Sequence, residues 1–433
     1  MTEADAAGLV SESGARYSSA IFHDAGIYQK EIENIFGRCW NFVAHDSQIP
    51  NEGDFFLSRI GEESVIVTRG SGGRVNVMLN VCRHRGHVMC RADKGNSKRF
   101  VCPFHAWTYG PDGELVHAPM TQELSPDFDK SEFGLVHVPR VEIYRGLIFA
   151  SFDKNAPPLQ EELGQEFLFY LDTFLHRRNA ELIMIGGVQK WEAESNWKIG
   201  PDGMGGDFYH VAGAHASTFA ADPVLREAIA AMGDPRVARN ISFKGGHGFN
   251  ALLLPPDAPL GAYLPVESRF LEIPAVREYF AGIQDEADAL LGETRRRVRI
   301  TTGTIFPNLS FSPGIMTLRL ILPKGPNRIE NWCWVFGYSD MPDNVRRTMH
   351  QAYLSVFGPD GCLEPDDAEA WTLLTNATRS FQAQKIPLYA GLGEGRESGE
   401  PDLPGVHHHP LSEGVSRSYF REWRRRMDVG GRS

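Results

Sequence analysis

Two short runs constrain this chain more than anything else in it. Cys82-Arg83-His84 is followed, after seventeen intervening residues, by Cys102-Pro103-Phe104-His105. Each run offers one thiolate and one imidazole on a tight loop. A Cys2His2 zinc site uses the same donors, but it groups its cysteines together and its histidines together, with a helix between. Here Cys and His alternate within each pair, and Gly86 and Pro103 beside them mark turns between strands. The arrangement reads as a two-iron cluster, with both thiolates on one iron and both imidazoles on the other. Replacing two anionic thiolates by neutral imidazoles lowers the negative charge of such a cluster and raises its potential.

The other cysteines, Cys39, Cys90, Cys333 and Cys362, read as free thiols, because a chain of this kind is expected in a reducing compartment. Cys90 and His87 lie between the two pairs but outside their pattern, so packing or surface is their expected role. No stretch approaches the ~18 apolar residues of a membrane span. Residues 1–19 have neither a basic n-region nor an apolar core, and a cytoplasmic location is the expectation. Basic residues number 44 against 55 acidic ones, a formal charge of −11. That balance argues against nucleic acid or an anionic membrane as partner, since both need a basic face.

With 433 residues the chain has room for more than one domain. A short helix is expected at Gln29–Phe36. From Trp40 to about Phe152, short apolar stretches alternate with Gly, Asn, Asp and Pro. Ser64–Thr68 and Arg74–Val81 alternate like strands around a Gly70–Gly73 turn, and Tyr109–Gly113 is another turn. Beyond Pro157 the signal is mixed: helical over Leu159–His176, Asn344–Val356 and Tyr419–Met427, strand-like over Leu182–Trp191 and Arg297–Pro313. Gly391–Pro404 reads as a loop, and His407, His408 and His409 as surface residues without a metal role. The fold expected is α+β, with segment 1–37 packing on the last domain, an all-β domain over 38–155, and an α+β domain over 156–433 whose antiparallel sheet is flanked by helices.

A second site is suggested by Gly206-Asp207-Phe208-Tyr209-His210, continued by Val211-Ala212-Gly213-Ala214-His215. Two histidines and one carboxylate on one face of Fe2+ leave positions open for oxygen. Asp207 and His210, three apart, are expected to share a helix face. His215 lies about 140° further round an ideal helix from His210, so the helix must end or distort near Gly213 for both rings to reach one metal. Spacing does not decide which carboxylate completes the set; Asp207 is the nearest in sequence. Asp366 and Asp367 also read as a helix N-terminus, where Asp is favoured.

Cys82-Arg-His-Arg-Gly86, with Cys102-Pro-Phe-His-Ala-Trp-Thr-Tyr109, resembles the Rieske domain of the large (alpha) subunits of aromatic-ring-hydroxylating dioxygenases. Phe36-Gly-Arg-Cys-Trp40, His45, Pro50 and Gly53-Asp54-Phe55 are similar to the start of that domain. The resemblance runs over nearly the whole chain and is nearest the branch acting on biphenyl, toluene, naphthalene or phenylpropionate. It implies a [2Fe-2S] cluster on Cys82, His84, Cys102 and His105, and a mononuclear non-haem Fe2+ on His210, His215 and Asp367. Asp207 then matches a bridging carboxylate between His210 and the cluster ligand His105 of the partner subunit. Met204, Phe208, Val211, Ala212, Phe357 and Leu363 match the substrate pocket, with Phe357 the strongest candidate. Where the family often has Asn or Gln, this chain has Asp202-Gly203-Met204-Gly205, which suggests a wider pocket entrance.

The resemblance further implies a terminal oxygenase that adds both atoms of O2 to one edge of an aromatic ring, giving a cis-dihydrodiol. Electrons would come from NADH through a flavin reductase and a ferredoxin; the chain has neither a Gly-x-Gly-x-x-Gly fingerprint nor a plant-type ferredoxin cysteine set of its own. A small beta subunit, in a homotrimer or an α3β3 assembly, completes the expectation. Competing readings are a Rieske monooxygenase that hydroxylates or demethylates, a Rieske electron carrier, and a zinc-binding interaction module. No arginine placed to hold a substrate carboxylate is identifiable, so a neutral aromatic is favoured over an aromatic acid.

Overall fold

The computed structural model describes residues 6–221, 223–255 and 273–428. The chain forms two compact units: Phe36–Leu159 is one, and the segment ending at Ile35 joins Gln160 onward in the other. Both are built on antiparallel sheets, and the fold is α+β as expected.

In the first unit, β1 (Asn41–His45), β2 (Asp54–Ile60), β3 (Glu63–Arg69), β4 (Val75–Leu79), β5 (Lys94–Asn96), β6 (Phe100–Val101), β7 (Thr108–Tyr109), β8 (Leu115–His117), β9 (Arg140–Tyr144) and β10 (Leu147–Ser151) follow in order. They make three small sheets, ordered β9-β10-β1, β4-β3-β2-β5 and β6-β7-β8. The core gathers Phe55, Ile66, Met78, Phe100, Trp107, Tyr109 and Leu115 with Cys82 and Cys102 among them. Burying side chains of this size contributes ~1.5–3 kcal/mol each.

The second unit centres on one sheet. Its strands are β11 (Leu182–Ala193), β12 (Ala238–Ser242), β13 (Gly248–Leu253), β14 (Val298–Ile305), β15 (Leu309–Ser312), β16 (Thr317–Pro323), β17 (Ile329–Tyr338), β18 (Ser398–Glu400) and β19 (Leu403–His408). Among the described residues these nine run in the order β11-β17-β16-β15-β14-β13-β12-β19-β18, every neighbour antiparallel. The middle strands are buried along their whole length (β16 has no exposed residue), so both faces are covered.

The helices needed below are α1 (Ala25–Glu31), α2 (Gln165–Leu175), α3 (Ile199–Gly206), α4 (Val211–Ala214), α5 (Asp343–Phe357), α6 (Glu364–Thr378) and α7 (Gly414–Met427). In α5, Val345, Met349, Ala352, Tyr353 and Val356 recur at helical spacing and are the buried stripe. The helix ends at Phe357 because Gly358 and Pro359 follow. The next begins with Pro365 in its first turn and three acidic side chains, Glu364, Asp366 and Asp367, where the helix dipole favours them. Glu31 of α1 is buried and ties together Trp197 Nε1 (2.8 Å), Lys198 Nζ (2.6 Å) and Trp423 Nε1 (2.7 Å).

Several local expectations are revised. The first helix lies earlier, over Ala25–Glu31, because Asp24 caps it by accepting the Gly26 and Ile27 N–H groups; Ile32–Phe36 is a wider π turn. Leu159–His176 is broken at Gly164, whose φ of +78° is left-handed, and Arg297–Pro313 is two strands rather than one. His407 and His408 are not surface residues. They sit in β19, paired with β12, where His408 Nε2 meets Ser242 Oγ at 2.9 Å and His407 Nε2 meets the Leu403 carbonyl at 2.9 Å. Each ring thus has one partner, at Nε2, while both Nδ1 atoms are buried without a hydrogen-bond partner. His409 is exposed.

Candidate metal centres

Cys82 and Cys102 occupy equivalent positions on two near-identical loops. In the first, the Cys82 N–H donates to the His87 carbonyl (2.8 Å) and the Gly86 N–H donates back to the Cys82 carbonyl (3.0 Å). In the second, the Cys102 N–H donates to Trp107 O (2.8 Å) and the Ala106 N–H to Cys102 O (3.0 Å). The fifth residue of each loop must therefore turn left-handed. Gly86 does so freely at φ +75°, whereas Ala106 does so at φ +56° against its own Cβ.

The loops put both thiols inside the apolar core and both imidazoles outward. Cys82 and Cys102 are each 2% exposed, and burial pushes the Cys82 thiol up. The His84 and His105 rings lie 4.6 Å apart, and Trp107 stacks on His84 at 4.9 Å. The Tyr109 hydroxyl lies 3.5 Å from Cys82 Sγ and accepts the Arg83 N–H at 3.1 Å. A sulfur pair facing inward and a nitrogen pair facing outward suit a two-iron cluster, whose metals divide the donors in that way. A single tetrahedral zinc would draw all four to one point. Cys90 is a core residue whose thiol donates to Ala92 O at 3.4 Å, and His87 Nδ1 meets the Val88 carbonyl at 2.7 Å.

The second centre is built where α3 ends. Asp207 leaves helical geometry at ψ 72°, and its Oδ1 accepts the His210 N–H at 3.1 Å, opening the four-residue helix α4. Asp207 and His210 thus do not share a helix face: they stand on either side of a break. His210 and His215 flank α4, and the break after Ala214 brings the rings to 5.4 Å between centroids. Both Nε2 atoms face the same oxygen, Asp367 Oδ1, at 3.4 and 3.3 Å. Among the described residues, His210, His215 and Asp367 are the one set of three whose donor atoms all lie within 4.8 Å. Donors about 2.1 Å from a metal on one face of an octahedron are about 3 Å apart, close to these spacings.

Each imidazole is also held from behind. His210 Nδ1 faces the Asp207 backbone carbonyl, with the Asp207 carboxylate 3.4 Å away, and His215 Nδ1 lies 3.1 Å from Asp366 Oδ2. An N–H donated at Nδ1 leaves the Nε2 lone pair free for a metal. Burial opposes charge here, yet Asp207 and Asp367 raise His210 to about 10, and Asp367 is held far below the usual carboxylate range. A point that so favours positive charge suits a divalent cation. The orienting role of Asp366 was not visible in the sequence, where it read as a helix cap.

The six pocket candidates do not converge. Met204 and Phe357 line one gap, too tight to admit a water molecule, together with Ser312, Arg319, Cys333 and Tyr353. Phe208 and Val211 pack instead with Met232, Ala238 and Leu252. Ala212 is exposed, and Leu363 is half-buried at the N-terminus of α6. Of the two glycines in Asp202–Gly205, a Cβ on Gly205 would stand 3.3 Å from Thr304 Cβ, whereas one on Gly203 would meet nothing nearer than Trp371 Nε1 at 4.0 Å. A Cβ on Gly206 would stand 2.3 Å from Val415 Cβ, and one on Gly200 would stand 2.3 Å from the Ile321 methyl, so they let α3 sit tightly against α7 and the sheet. Gly206→Ala is expected to cost ~1–3 kcal/mol by overpacking and to displace Asp207, which follows it. Thermal unfolding together with iron content checks both effects.

Residues 39–139 match the Rieske [2Fe-2S] domain family, and residues 184–428 match the ring-hydroxylating alpha subunit catalytic-domain family. The chain is 36% identical to the biphenyl 2,3-dioxygenase alpha subunit of Rhodococcus jostii over 98% of its own length and 92% of that protein's. It is 34% identical to the benzene 1,2-dioxygenase alpha subunit of Pseudomonas putida, over 97% and 92%. A solved naphthalene 1,2-dioxygenase variant bound to phenanthrene superposes with a TM-score of 0.89 at 29% identity, covering 98% of this chain and 96% of that one. A cluster domain and an oxygen-activating iron domain, matched in order in one chain, make this protein a member of the Rieske non-haem iron ring-hydroxylating dioxygenase alpha subunits.

Proposed function

We propose that this chain is the cis-dihydroxylating component of a multicomponent oxygenase, with the [2Fe-2S] cluster on Cys82, His84, Cys102 and His105 and Fe2+ on His210, His215 and Asp367. The observation that carries this is the convergence of both Nε2 atoms on Asp367 Oδ1. Three protein donors on one face leave room for oxygen and substrate. The bound groups supply single-electron storage and oxygen activation; the residues supply position and exclusion of water. The balance is one aromatic, O2, NADH and a proton in, and one cis-dihydrodiol and NAD+ out. The O–O bond breaks, and two C–O bonds form.

Electrons would reach the chain from NADH through a flavin reductase and a ferredoxin. Within the assembly, Asp207 would join His210 to His105 of the partner subunit, as a carboxylate between two imidazoles does. Its side chain is 36% exposed, and His84 is exposed beside a half-buried His105, so all three are available at a surface. Phe104 (54% exposed) adds an apolar contact next to His105. A homotrimer, or an α3β3 complex with a small beta subunit, provides such a boundary. No described helix is long and apolar enough to cross a membrane.

The test is a panel of aromatic substrates with reconstituted reductase and ferredoxin, products scored by mass. A dihydrodiol supports the reading; a phenol or demethylated product as the primary product favours monooxygenation. Asp366→Ala, which strips His215 of its Nδ1 partner, is expected to weaken iron binding about 10–100-fold. Iron retained after dialysis against a graded chelator measures it.

A further inference from the structure

Asn240 is a polar residue in the middle of the catalytic sheet. It is the third residue of β12, between β13 and β19, and is fully buried. Asparagine is disfavoured in strands. Its Oδ1 is buried without a hydrogen-bond partner, which costs stability. An apolar side chain would fill the position at less cost, so packing does not account for it. The amide nitrogen does have partners. Nδ2 donates to the Gly206 carbonyl at 2.8 Å and to the Ser412 carbonyl at 2.9 Å. Carbonyl oxygens only accept, so the nitrogen must be the atom that faces them.

Gly206 is the last residue of α3, and the helix breaks at the peptide it shares with Asp207. The Asp207 N–H reaches back to the Gly203 carbonyl at 3.3 Å, a long bond for a helix. Thr304 Oγ1 holds the same helix earlier, at the Pro201 carbonyl (2.7 Å). The Asn240 bond is thus the hold that the sheet has on the peptide aiming Asp207. Beyond that peptide, Asp207 Oδ1 accepts the His210 N–H at 3.1 Å, and the carboxylate stands 3.4 Å from His210 Nδ1. Sheet, peptide, carboxylate and iron ligand form one chain of contacts.

We propose that Asn240 is a positioning residue for electron transfer between the two metal centres. By holding the Gly206–Asp207 peptide it fixes the Asp207 carboxylate between His210 and His105 of the partner subunit. This rests on the bridging role proposed above for Asp207. Asn240 acts through the peptide and not on the iron. A misplacement of about 1 Å far from the reacting atoms can cost about 100-fold in rate.

Asn240→Leu keeps the volume and removes both donors. Reduced chemically, then mixed with oxygen and substrate, its cluster should reoxidise about ten- to a hundredfold more slowly than in the wild type. Reduction by ferredoxin, iron content and substrate KM should not change. In the iron-free oxygenase, amide exchange over Gly206–Val211 should quicken about tenfold, a readout that needs no turnover. Asn240→Asp keeps the shape and, as a neutral buried carboxyl, one donor, so its rate should lie between wild type and Asn240→Leu. Thr304→Val frees α3 at Pro201 but not at Gly206; it should lower the unfolding temperature and leave reoxidation as it is. Asn240→Leu reoxidising at the wild-type rate overturns the proposal, and so does a loss of rate that only tracks lost iron. An equal slowing in Thr304→Val also overturns it, because the whole helix and not this peptide would then be the cause. If the leucine variant does not fold, Asn240→Asp decides: slowed at full iron content it supports the proposal, unslowed it overturns it. An unchanged rate in Asp207→Asn removes the bridge and this inference with it. A slow Asp207→Asn beside a normal Asn240→Leu removes the inference alone.

Discussion

Asp367→Ala is expected to yield a coloured protein with the visible spectrum of the intact cluster, two irons per chain rather than three, and no measurable turnover. The carboxylate is the point on which His210 and His215 converge, at 3.4 and 3.3 Å. Without it, two imidazoles remain with no charged donor between them. The loss should exceed the about 100-fold upper limit for removing a group that only orients a ligand. The cluster is untouched because its four donors lie in the other unit, within Phe36–Leu159. Iron analysis, visible absorption and turnover on one preparation check it. Wild-type turnover in the variant would mean that the chain carries electrons without using this site.

The second large effect is expected at Asp207→Asn. The amide keeps the shape of the side chain and the oxygen that accepts the His210 N–H at 3.1 Å, so α4 and the iron should persist. The charge 3.4 Å from His210 Nδ1 disappears, and with it the coupling proposed to reach His105 of the partner subunit. Turnover should fall about 100-fold, the upper end for an orienting group. Reduction by ferredoxin stays normal, and the reduced spectrum persists when oxygen and substrate arrive. A purely structural role for Asp207 would instead show as lost iron at an unchanged rate per iron.

Legibility in the sequence followed distance along the chain. The cluster pairs and the His210/His215 pair are each confined to a few residues, and turn formers beside them announce the geometry. The third donor, Asp367, lies far from both histidines, and spacing carries no information across that gap. Only the resemblance pointed to it. Asp366 was hidden for a different reason: an acidic residue in a first helical turn already has a role at the dipole, so its reach to His215 left no separate mark.

The pocket was the least readable part. Phe208 and Val211 are neighbours of the metal donors in sequence, yet the break after Asp207 turns them into another cluster, and Ala212 faces out. Arg319 and Glu364 come from a strand and a helix that sequence alone does not bring together. The same blindness applied to His407 and His408, whose polarity suggested a surface until β19 was seen paired to β12. The α+β layering was legible because turn residues and hydrophobic period mark it locally. Which side chains share a cavity depends on register and on breaks such as that at Asp207, which they do not.

The most direct test is a single turnover without partner proteins. The oxygenase is reduced chemically under anaerobic conditions, freed of reductant, and mixed with an aromatic substrate and 18O2. The account predicts a cis-dihydrodiol carrying two labelled oxygens, formed in step with the return of the oxidised cluster spectrum and in no greater amount than the mononuclear iron present. Return of that spectrum without product, or a product carrying a single labelled oxygen, would contradict it.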